Sequence, residues 1–437
     1  MIEKYSKRTA PLIMAGATLI CAAVSAVSMF LLKSDDWGFG FISMAVFCML
    51  LSIGAAKRPM VTTELAIAFL TRFAMCLICI LQNDGDADNY AVYAQQYATM
   101  PLADAFLEIP MGAYFYSWVI SFFFRFFGFH FTPVRAMNMA ISMWCVYVTV
   151  DIVQDIYQDR EITKRAALWM ALFPNLIRFS SYFANREPML MLFMLLYLKH
   201  SYRFYKNNHI VSLLKSVIML IPALILHTSM LAMFALTTLI ILTRESKSGN
   251  KRSAMIGKAI LATGMVAVFV YMMASGVGTE KFGVGGGVEL SVSGVSAIGN
   301  MSAIGRAAYL KGVNFSNPIL TILFLPVRML YFLYTPFPWM VRAVVDIVGL
   351  FDAVLYMVIS YRIFCKLRMV RASGVKSSEQ KFIILLTLVL LVVVAMFAAV
   401  TSNYGTAIRH RCKLFPLMLL IMADYTGSKR KKKRFVI

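Results

Sequence analysis

Three aspartates stand close together in the stretch NDGDADNYAVYAQQYATM, which begins at Asn83 and separates two long apolar runs. They are Asp84, Asp86 and Asp88. A carboxylate can take the proton of an attacking hydroxyl group, so each of the three is a candidate general base. Carboxylates at alternate positions would also suit a divalent metal, whereas one helix-capping acid and two solvated charges would need no ligand. We predict no bound cofactor, with a divalent metal as the alternative.

Tyrosines follow the aspartates at helical spacing. Tyr90 and Tyr93 begin an i, i+3, i+7 pattern, which predicts one face of a helix. We expect Asp86 or Asp88 to cap that helix, because a short carboxylate there satisfies unpaired backbone N–H groups, and we expect Pro101 to end it. The stretch therefore combines candidate bases with an aromatic helix face.

Two further groups of charged residues stand at the ends of predicted helices. Arg186 and Glu187 follow one apolar segment in FPNLIRFSSYFANREPMLM, and Arg409 and Arg411 precede the last one in TSNYGTAIRHRCKLFP. A guanidinium fork binds pairs of phosphate oxygens and keeps its charge when partly buried, so these arginines predict an anionic ligand. Salt bridges to nearby acids are the alternative. His227, in ALILHTSMLAMF, either bonds a backbone carbonyl or faces the same site as a base.

The composition places the chain in a membrane. Its 437 residues are 60% hydrophobic and only 15% charged, with a mean hydropathy of +0.72, and a soluble core could not bury so much apolar surface. The net charge of +22 is explained by basic residues retained at the cytoplasmic ends of helices. The terminal KRKKKR run is interpreted as an anchor on anionic lipid, so no nucleic-acid partner is predicted.

We predict an all-α fold, a polytopic bundle of about 12 transmembrane helices that forms a single domain over residues 1–437, with both termini in the cytoplasm. The predicted spans are residues 11–32, 38–55, 62–82, 136–152, 166–182, 188–202, 210–226, 229–243, 255–274, 342–363, 382–401 and 411–425.

Two long segments are predicted on the external face. Residues 83–135 are expected to contain interfacial helices, and residues 275–341 combine a glycine-rich piece with a re-entrant or surface-lying hairpin. The glycine-rich piece should order only when something binds it, so we interpret 275–341 as a lid, with a passive connector as the alternative. Residues 426–437 are the basic cytoplasmic tail. Arg72 and Asp352 fall within predicted spans, where pairing across helices is the expected role.

The order of these segments resembles the bacterial polysaccharide repeat-unit polymerases of the Wzy and EpsG kind, which belong with the membrane glycosyltransferases of the GT-C class. The resemblance runs from Asp84 to about Leu420. It is carried by the acidic D-x-x-x-Y loop and by FFGFHFTPVRAMN, ALFPNLIRFSSYFANREP, LHTSM, LPVRMLYFLYTPFPW and GTAIRHRCKLFPLMLL.

The resemblance implies a GT-C-like bundle that joins polyprenyl-diphosphate-linked oligosaccharides at the outer leaflet of the bacterial cytoplasmic membrane, with the diphosphate lipid as leaving group and the active site facing outside. The implied partners are those lipid-linked substrates, the bilayer, a chain-length regulator and a flippase. The implied catalytic residues are Asp84, Asp86, Asp88, Glu187 and His227. The implied diphosphate-binding residues are Arg186, Arg409 and Arg411. We predict Arg306 and Arg328 as further diphosphate-binding residues, and Tyr90 and Tyr93 as sugar-binding residues.

Two related enzymes and one transporter remain as alternatives. An O-antigen ligase or a GT-C transferase that adds a single sugar would use the same kind of donor. A flippase for the same lipid-linked sugars would also suit many spans and internal arginines. Transporters of that type usually consist of two related halves with short loops, whereas this sequence has no evident internal repeat and two long loops.

Overall fold

The computed structural model describes residues 8–80, 85–182, 184–243, 305–311, 318–375 and 377–425, together with residues 255–256, 258–260 and 262–264. Within these residues every regular element is a helix, and the extended pairing consists of one isolated bridge between Ala308 and Asn403. The prediction of an all-α fold is therefore confirmed for the described chain. Asp84, most of the glycine-rich piece, most of the predicted span 255–274 and the basic tail 426–437 lie outside it.

Three apolar helices open the chain. They are α1 (Thr9–Phe30), α2 (Asp35–Ala56) and α3 (Thr62–Ile80). Helix α1 packs along α2 and also contacts α3. The backbone N–H of Ala10 donates to Oγ1 of Thr62 at 2.8 Å, which ties the start of α1 to the start of α3.

The segment predicted as an external loop with interfacial helices is helical. It contains α4 (Gly85–Thr99), α5 (Leu102–Leu107) and α6 (Ala113–Phe127), and α4 packs against α6. Pro101 lies directly before α5, so the prediction that it ends the tyrosine helix is confirmed. Arg125 on α6 donates to the carbonyl oxygen of Met100 at 2.7 Å, which fixes the turn that follows α4.

The capping prediction for α4 was wrong in its detail. The helix begins at Gly85, so Asp86 and Asp88 are already inside its first turn instead of at the capping position before it. Acids in the first turn still interact favourably with the positive end of the helix dipole.

Helix α7 (Thr132–Tyr157) is the central element, because almost all of its residues are buried. It packs against α2 and against α10 (Glu187–Asn207). Asn138 and Asp151 make polar contacts toward its opposite ends and lie about 20 Å apart along the axis at 1.5 Å per residue. These two ends define the two polar ends of the bundle.

Asp151 gathers basic residues at one of these ends. Its carboxylate forms ion pairs with Arg58 and with Lys199 on α10, both at 2.7 Å. The neighbouring carboxylate of Asp155 pairs with Arg203 at 3.0 Å. All of these basic residues belong to the side that the charge distribution predicts as cytoplasmic.

The predicted span 166–182 is interrupted. Helix α8 (Arg160–Leu172) ends before Pro174, because a proline cannot donate a helical hydrogen bond and forces the preceding Phe173 into an extended conformation with ψ of 110°. A single turn, α9 (Pro174–Ile177), and a short π-helix over residues 178–182 follow. Such breaks place backbone and side-chain polar groups inside a bundle.

The remaining helices complete the bundle around α7 and α10. They are α11 (Ile210–Leu226), α12 (Ala232–Thr243), α13 (Pro318–Tyr334), α14 (Val344–Ser373), α15 (Ser378–Val400), α16 (Tyr404–Arg411) and α17 (Phe415–Met422). Helix α11 packs along α10, and α13 packs between α15 and α14. An apolar helix, α13, therefore occupies part of the predicted hairpin.

Six helices in the described chain are long and apolar enough to cross a membrane. They are Thr9–Phe30, Asp35–Ala56, Pro59–Ile78, Thr132–Tyr157, Asp346–Ser373 and Ser378–Val400. The chain is therefore a helical membrane protein, and the count of twelve spans stays a prediction. The predicted span 411–425 contains only α17, which has 8 residues and would need its neighbours to reach across.

Glycines on α2 allow it to approach α7 closely. A Cβ at Gly54 would lie 2.6 Å from Cε2 of Tyr147, whereas a Cβ at Gly16 on α1 would meet no atom within 4 Å. Small residues at helix contacts let backbones pack tightly in membranes, where no hydrophobic force acts between helices.

We expect Gly54→Val to destabilise the bundle by about 1–3 kcal/mol, because the added methyl groups overlap the Tyr147 ring. The measurement is the thermal unfolding midpoint of the purified protein in detergent. Gly16→Val is the matched control, since it makes the same change in an open position and should leave the midpoint within error. Equal midpoints for the two variants would contradict the packing argument.

Candidate functional site

Glu187 is the first residue of α10 and is completely buried. Pro188 follows it, and proline is favoured in the first turn of a helix because its missing N–H would have no partner there. Arg186 precedes the helix and is only 4% exposed. The sequence thus places a carboxylate and a guanidinium side by side at the start of α10, where water cannot screen them.

Arg409 reaches the same point from α16. Its Nε donates to Oε1 of Glu187 at 2.8 Å, and its Nη2 lies 3.4 Å from Oε2, so the fork spans both carboxylate oxygens. The same Nη2 donates to the hydroxyl oxygen of Tyr90 on α4 at 3.0 Å. One guanidinium therefore joins three helices that are far apart in sequence.

Lys413 is the third cation beside Glu187. Its Nζ is 3.4 Å from Oε1 of Glu187 and 3.0 Å from Nδ1 of His410, and the side chain is fully buried. Burial alone would raise the pKa of Glu187, but Lys413, Arg409 and Arg186 hold that pKa at about 2. Glu187 is consequently ionised at every physiological pH.

Two histidines border the charged groups. The ring of His227, at the end of α11, lies 5.4 Å from the ring of His410, edge to face. Both rings pack on Phe397 of α15, at 5.2 and 4.8 Å between centroids. His227 therefore lies next to His410, whose Nδ1 is 3.0 Å from Nζ of Lys413, and its role as a base stays a prediction.

We call these residues the Glu187 cluster. Its members are Tyr90, Arg186, Glu187, His227, Arg409, His410 and Lys413.

Only part of the hydrogen-bonding capacity of Arg186 is taken up by other residues. Its Nη1 donates to the carbonyl oxygen of Leu226 at 2.7 Å, which joins α10 to the end of α11. Its Nε and the Oδ1 atom of Asn185 are buried and make no hydrogen bond to any residue in the described ranges. Buried polar groups without partners are rare in proteins, so these two atoms have hydrogen-bonding capacity left for a ligand or water.

A series of hydrogen bonds and ring contacts connects Asn185, next to Arg186, with Tyr90 of the cluster. Asn138 on α7 donates to the carbonyl oxygen of Asn185 at 2.8 Å and accepts from the hydroxyl of Tyr116 at 3.0 Å. The ring of Tyr116 on α6 then packs edge to face on Tyr90, with 5.3 Å between centroids. The orientation of Tyr90 is thereby coupled to the backbone next to Arg186.

Of the five predicted diphosphate-binding arginines, Arg186 and Arg409 meet in the cluster. Arg306 pairs with both carboxylate oxygens of Asp346, at 2.7 and 3.2 Å. The buried Arg328 donates to the carbonyl oxygen of Ala398 and to Ser402. The Arg306 contacts join the segment 305–311 to α14, and the Arg328 contacts join α13 to the end of α15.

The fifth arginine, Arg411, is completely buried and pairs with Asp352 of α14 at 2.8 Å. It also donates to the carbonyl oxygen of Leu333 on α13 at 2.7 Å. The predicted pairing of Asp352 across helices is thus present. Arg72 likewise binds across helices, through Ser142 at 2.7 Å and the carbonyl oxygen of Met170 at 2.7 Å.

The predicted acids of the first loop are placed only in part. Asp84 lies outside the described residues, and Asp86 and Asp88 are described as positions in the first turn of α4. Asp86 precedes Tyr90 by four residues in the same helix. Tyr93 packs on Tyr114 of α6, with ring centroids 4.3 Å apart and its own side chain 38% exposed.

Lys413 is a site residue that the sequence analysis missed, whereas its neighbour His410 stands in the charged stretch that the sequence singled out. Lys413 follows Arg409 by four residues in RHRCKLFP, the spacing that brings side chains to one face of a helix. That spacing was the available signal. Among the described residues, no group of three or more His, Cys, Asp or Glu side chains is arranged to hold a metal ion.

Comparisons with protein-family models, with curated proteins and with solved structures found no match to this chain.

We expect Glu187→Gln to lower the free energy of unfolding by about 3–5 kcal/mol at pH 7, because it leaves buried cations without a counter-charge. Thermal midpoints of the variant and the parent protein measure the loss. Glu161→Gln is the control, since the side chain of Glu161 is 71% exposed and its ion pair with Lys164 should contribute little.

The stabilisation that Glu187→Gln removes should depend on pH. The ordinary pKa of 4.5 is lowered to about 2 in the folded protein, so the stabilisation by Glu187 is fully present above pH 4.5 and declines as pH falls toward 2. The difference in midpoint between parent and Glu187→Gln should not narrow between pH 7 and 4.5, and it should narrow below pH 4.5. A difference that already closes between pH 7 and 5 would contradict the lowered pKa.

Proposed function

We propose that this membrane protein is a glycosyltransferase that polymerises polyprenyl-diphosphate-linked oligosaccharide repeat units at the outer leaflet of the bacterial cytoplasmic membrane. The observation that carries the proposal is the Glu187 cluster, in which three cations converge on one carboxylate at one end of an apolar helix bundle. Excess positive charge out of water is stable only when an anion shares the site.

A diphosphate fits this excess charge. Two guanidinium groups, from Arg186 and Arg409, and the ammonium group of Lys413 surround a single acid, and Nε of Arg186 has no acceptor among the described residues. Guanidinium forks bind phosphate oxygens in pairs. In glycosyl transfer the same groups would stabilise the negative charge that develops on the leaving diphosphate.

Glu187 serves this chemistry as a positioning residue. A carboxylate with a pKa of about 2 is a weak base, so it would not accept a proton from a hydroxyl group efficiently. Its contacts instead fix the orientation of Arg409 and the position of Lys413. The diphosphate would find these cations already in place, which avoids the cost of ordering them during binding.

The base then comes from the first turn of α4 or from His227. Asp86 stands one turn before Tyr90, and Tyr90 contacts Arg409, so the start of α4 lies beside the cluster. His227 borders the cluster from α11 through its contact with His410. Either group could take the proton from the acceptor hydroxyl.

The reaction balances with these groups alone. The oxygen of the acceptor hydroxyl forms a bond to the anomeric carbon of the donor sugar, and the bond from that carbon to the diphosphate oxygen breaks. The electron pair leaves with the polyprenyl diphosphate, and the base keeps the proton. No nucleotide is required, because the donor already carries its leaving group.

We also propose how the chain crosses the membrane. About twelve spans with both termini in the cytoplasm would put the cluster on the external side, as in the GT-C class that the sequence resembles. The separation of the basic Asp151 end from the Glu187 cluster along α7 supports this orientation. The interfacial helices α4 to α6 would then lie at the membrane surface where lipid-linked sugars arrive.

The direct test incubates the purified protein in lipid with a synthetic polyprenyl-diphosphate repeat unit and separates the products by gel electrophoresis. We expect a ladder. A single added unit would support a ligase or a single-sugar transferase, and unchanged substrate that moves between leaflets would support a flippase.

We expect Arg186→Lys and Arg409→Lys each to reduce the rate of ladder formation about ten- to a hundredfold, because lysine keeps the charge and loses the paired hydrogen bonds. Arg342→Lys is the matched control, an exposed arginine outside the cluster. Full activity in both cluster variants would remove the role in diphosphate binding.

Single substitutions identify the base. Among Asp86→Asn, Asp88→Asn and His227→Gln, the one that removes the base should lower the rate at saturating substrate by about a hundredfold or more and flatten the acidic limb of the pH–rate profile. The other two should keep that limb. Unchanged profiles in all three variants would exclude these residues as the base.

A further inference from the structure

A cavity lies at the break between α8 and the π-helix, near the cluster. Its volume is 290 Å³, and its polar lining consists of Asn175, Arg178 and Asp352. Asn175 lies on α9, whose position follows from the proline that ends α8, and Asp352 lies on α14. The cavity therefore exists because the predicted span 166–182 is not one continuous helix.

Two buried oxygen atoms at this cavity have no partner. Oδ1 of Asn175 and Oδ1 of Asp352 make no hydrogen bond to any residue that the structure describes, although the two residues are only 4% and 3% exposed. The other oxygen of Asp352, Oδ2, accepts from Nε of Arg411 at 3.0 Å and from Nδ2 of Asn175 at 3.4 Å. An unused acceptor in such a place costs about 1–3 kcal/mol, so a donor supplied by a ligand or by water is expected.

The chemistry of the lining selects hydroxyl groups. The two oxygens accept hydrogen bonds, whereas the guanidinium of Arg178 is a donor, and a hydroxyl group can both donate and accept. A simple cation would be repelled by Arg178, and an anion by the carboxylate of Asp352. The rest of the lining is largely apolar and includes Met75, Val348 and Ile408. A ring with polar edges and an apolar face matches this lining.

The cavity is joined to the Glu187 cluster through α16. Nδ2 of Asn175 donates to the carbonyl oxygen of Ile408 at 2.9 Å, and the next residue is Arg409. A group held in the cavity would lie next to the helix that carries Arg409. The cavity is also close to the lower end of the size range of small-molecule sites, about 300 Å³.

We propose that this cavity binds a sugar ring of the acceptor substrate, with Asn175 and Asp352 accepting hydrogen bonds from its hydroxyl groups and Arg178 donating to them. The assignment to the acceptor rests on the proposed function. The sugar would be held by neutral hydroxyl contacts at the cavity, separately from the diphosphate contacts of Arg186 and Arg409.

Binding is tested without turnover. Purified protein in nanodiscs of phosphatidylcholine, whose headgroup has no hydroxyl group, is titrated with methyl glycosides of glucose, galactose, mannose, rhamnose and N-acetylglucosamine. Saturation-transfer NMR gives the Kd. We expect binding of at least one glycoside, and no competition by inorganic phosphate.

The variants locate the bound sugar. Val348→Trp should fill the cavity and weaken binding at least tenfold without touching the Asp352 ion pair, and Asn175→Ala should weaken it similarly. Ile347→Trp is the matched control, since it makes a comparable change on an exposed neighbour of the same helix. No glycoside binding, or binding that both cavity variants leave unchanged, would overturn the proposal.

Two further outcomes are decisive. Displacement of the glycoside by added phosphatidylglycerol, whose headgroup carries hydroxyl groups, would assign the cavity to a lipid headgroup and overturn the assignment to a sugar. A ladder in the polymerisation assay without glycoside binding would refute the cavity site alone. Glycoside binding by a protein that makes no ladder would keep the sugar site and refute the proposed function together with the acceptor role.

Discussion

The buried carboxylate of Glu187 is the constraint around which the rest of the site is arranged. An ionised carboxylate without water is tolerated only when cations replace the lost hydration, and removal of one partner of a buried pair costs about 3–5 kcal/mol. Because Arg409 belongs to α16 and Arg186 is bonded to the end of α11, satisfying this one charge brings distant helices together. Tyr90 adds α4 to the same arrangement.

The second buried pair, Arg411 with Asp352, holds the same region from the other side. Arg409 and Arg411 are two residues apart on α16, so their side chains point about 200° apart around the helix axis. One therefore faces Glu187 and the other faces α14. A single short helix, fixed on both sides by ion pairs, separates the Glu187 cluster from the cavity at Asn175.

This arrangement explains how adjacent charged residues can have different roles. Glu187 is held ionised and orients cations, whereas the proposed base lies on α4 or is His227. Arg306 attaches the segment 305–311 to α14 through Asp346, and Arg328 holds α13 against α15 through Ala398 and Ser402. The proposed diphosphate site thus needs only the arginines that meet at Glu187. The proposed sugar site uses the polar side chains that line the cavity at the break before α9.

The sequence by itself determined the class of the protein and the positions of most helices, because apolar length and helical periodicity are local properties that each segment carries alone. It also identified Arg186, Glu187, His227 and Arg409 as candidates, since charge at the end of an apolar segment is locally unusual. Only the tertiary structure decided which charges meet. Arg409 and Lys413 both contact Glu187, whereas Arg411 pairs with Asp352. The predicted span 166–182 is interrupted, and its residues line a cavity. Ion pairing and burial depend on contacts between helices that are distant in sequence, so the sequence alone could not show these arrangements.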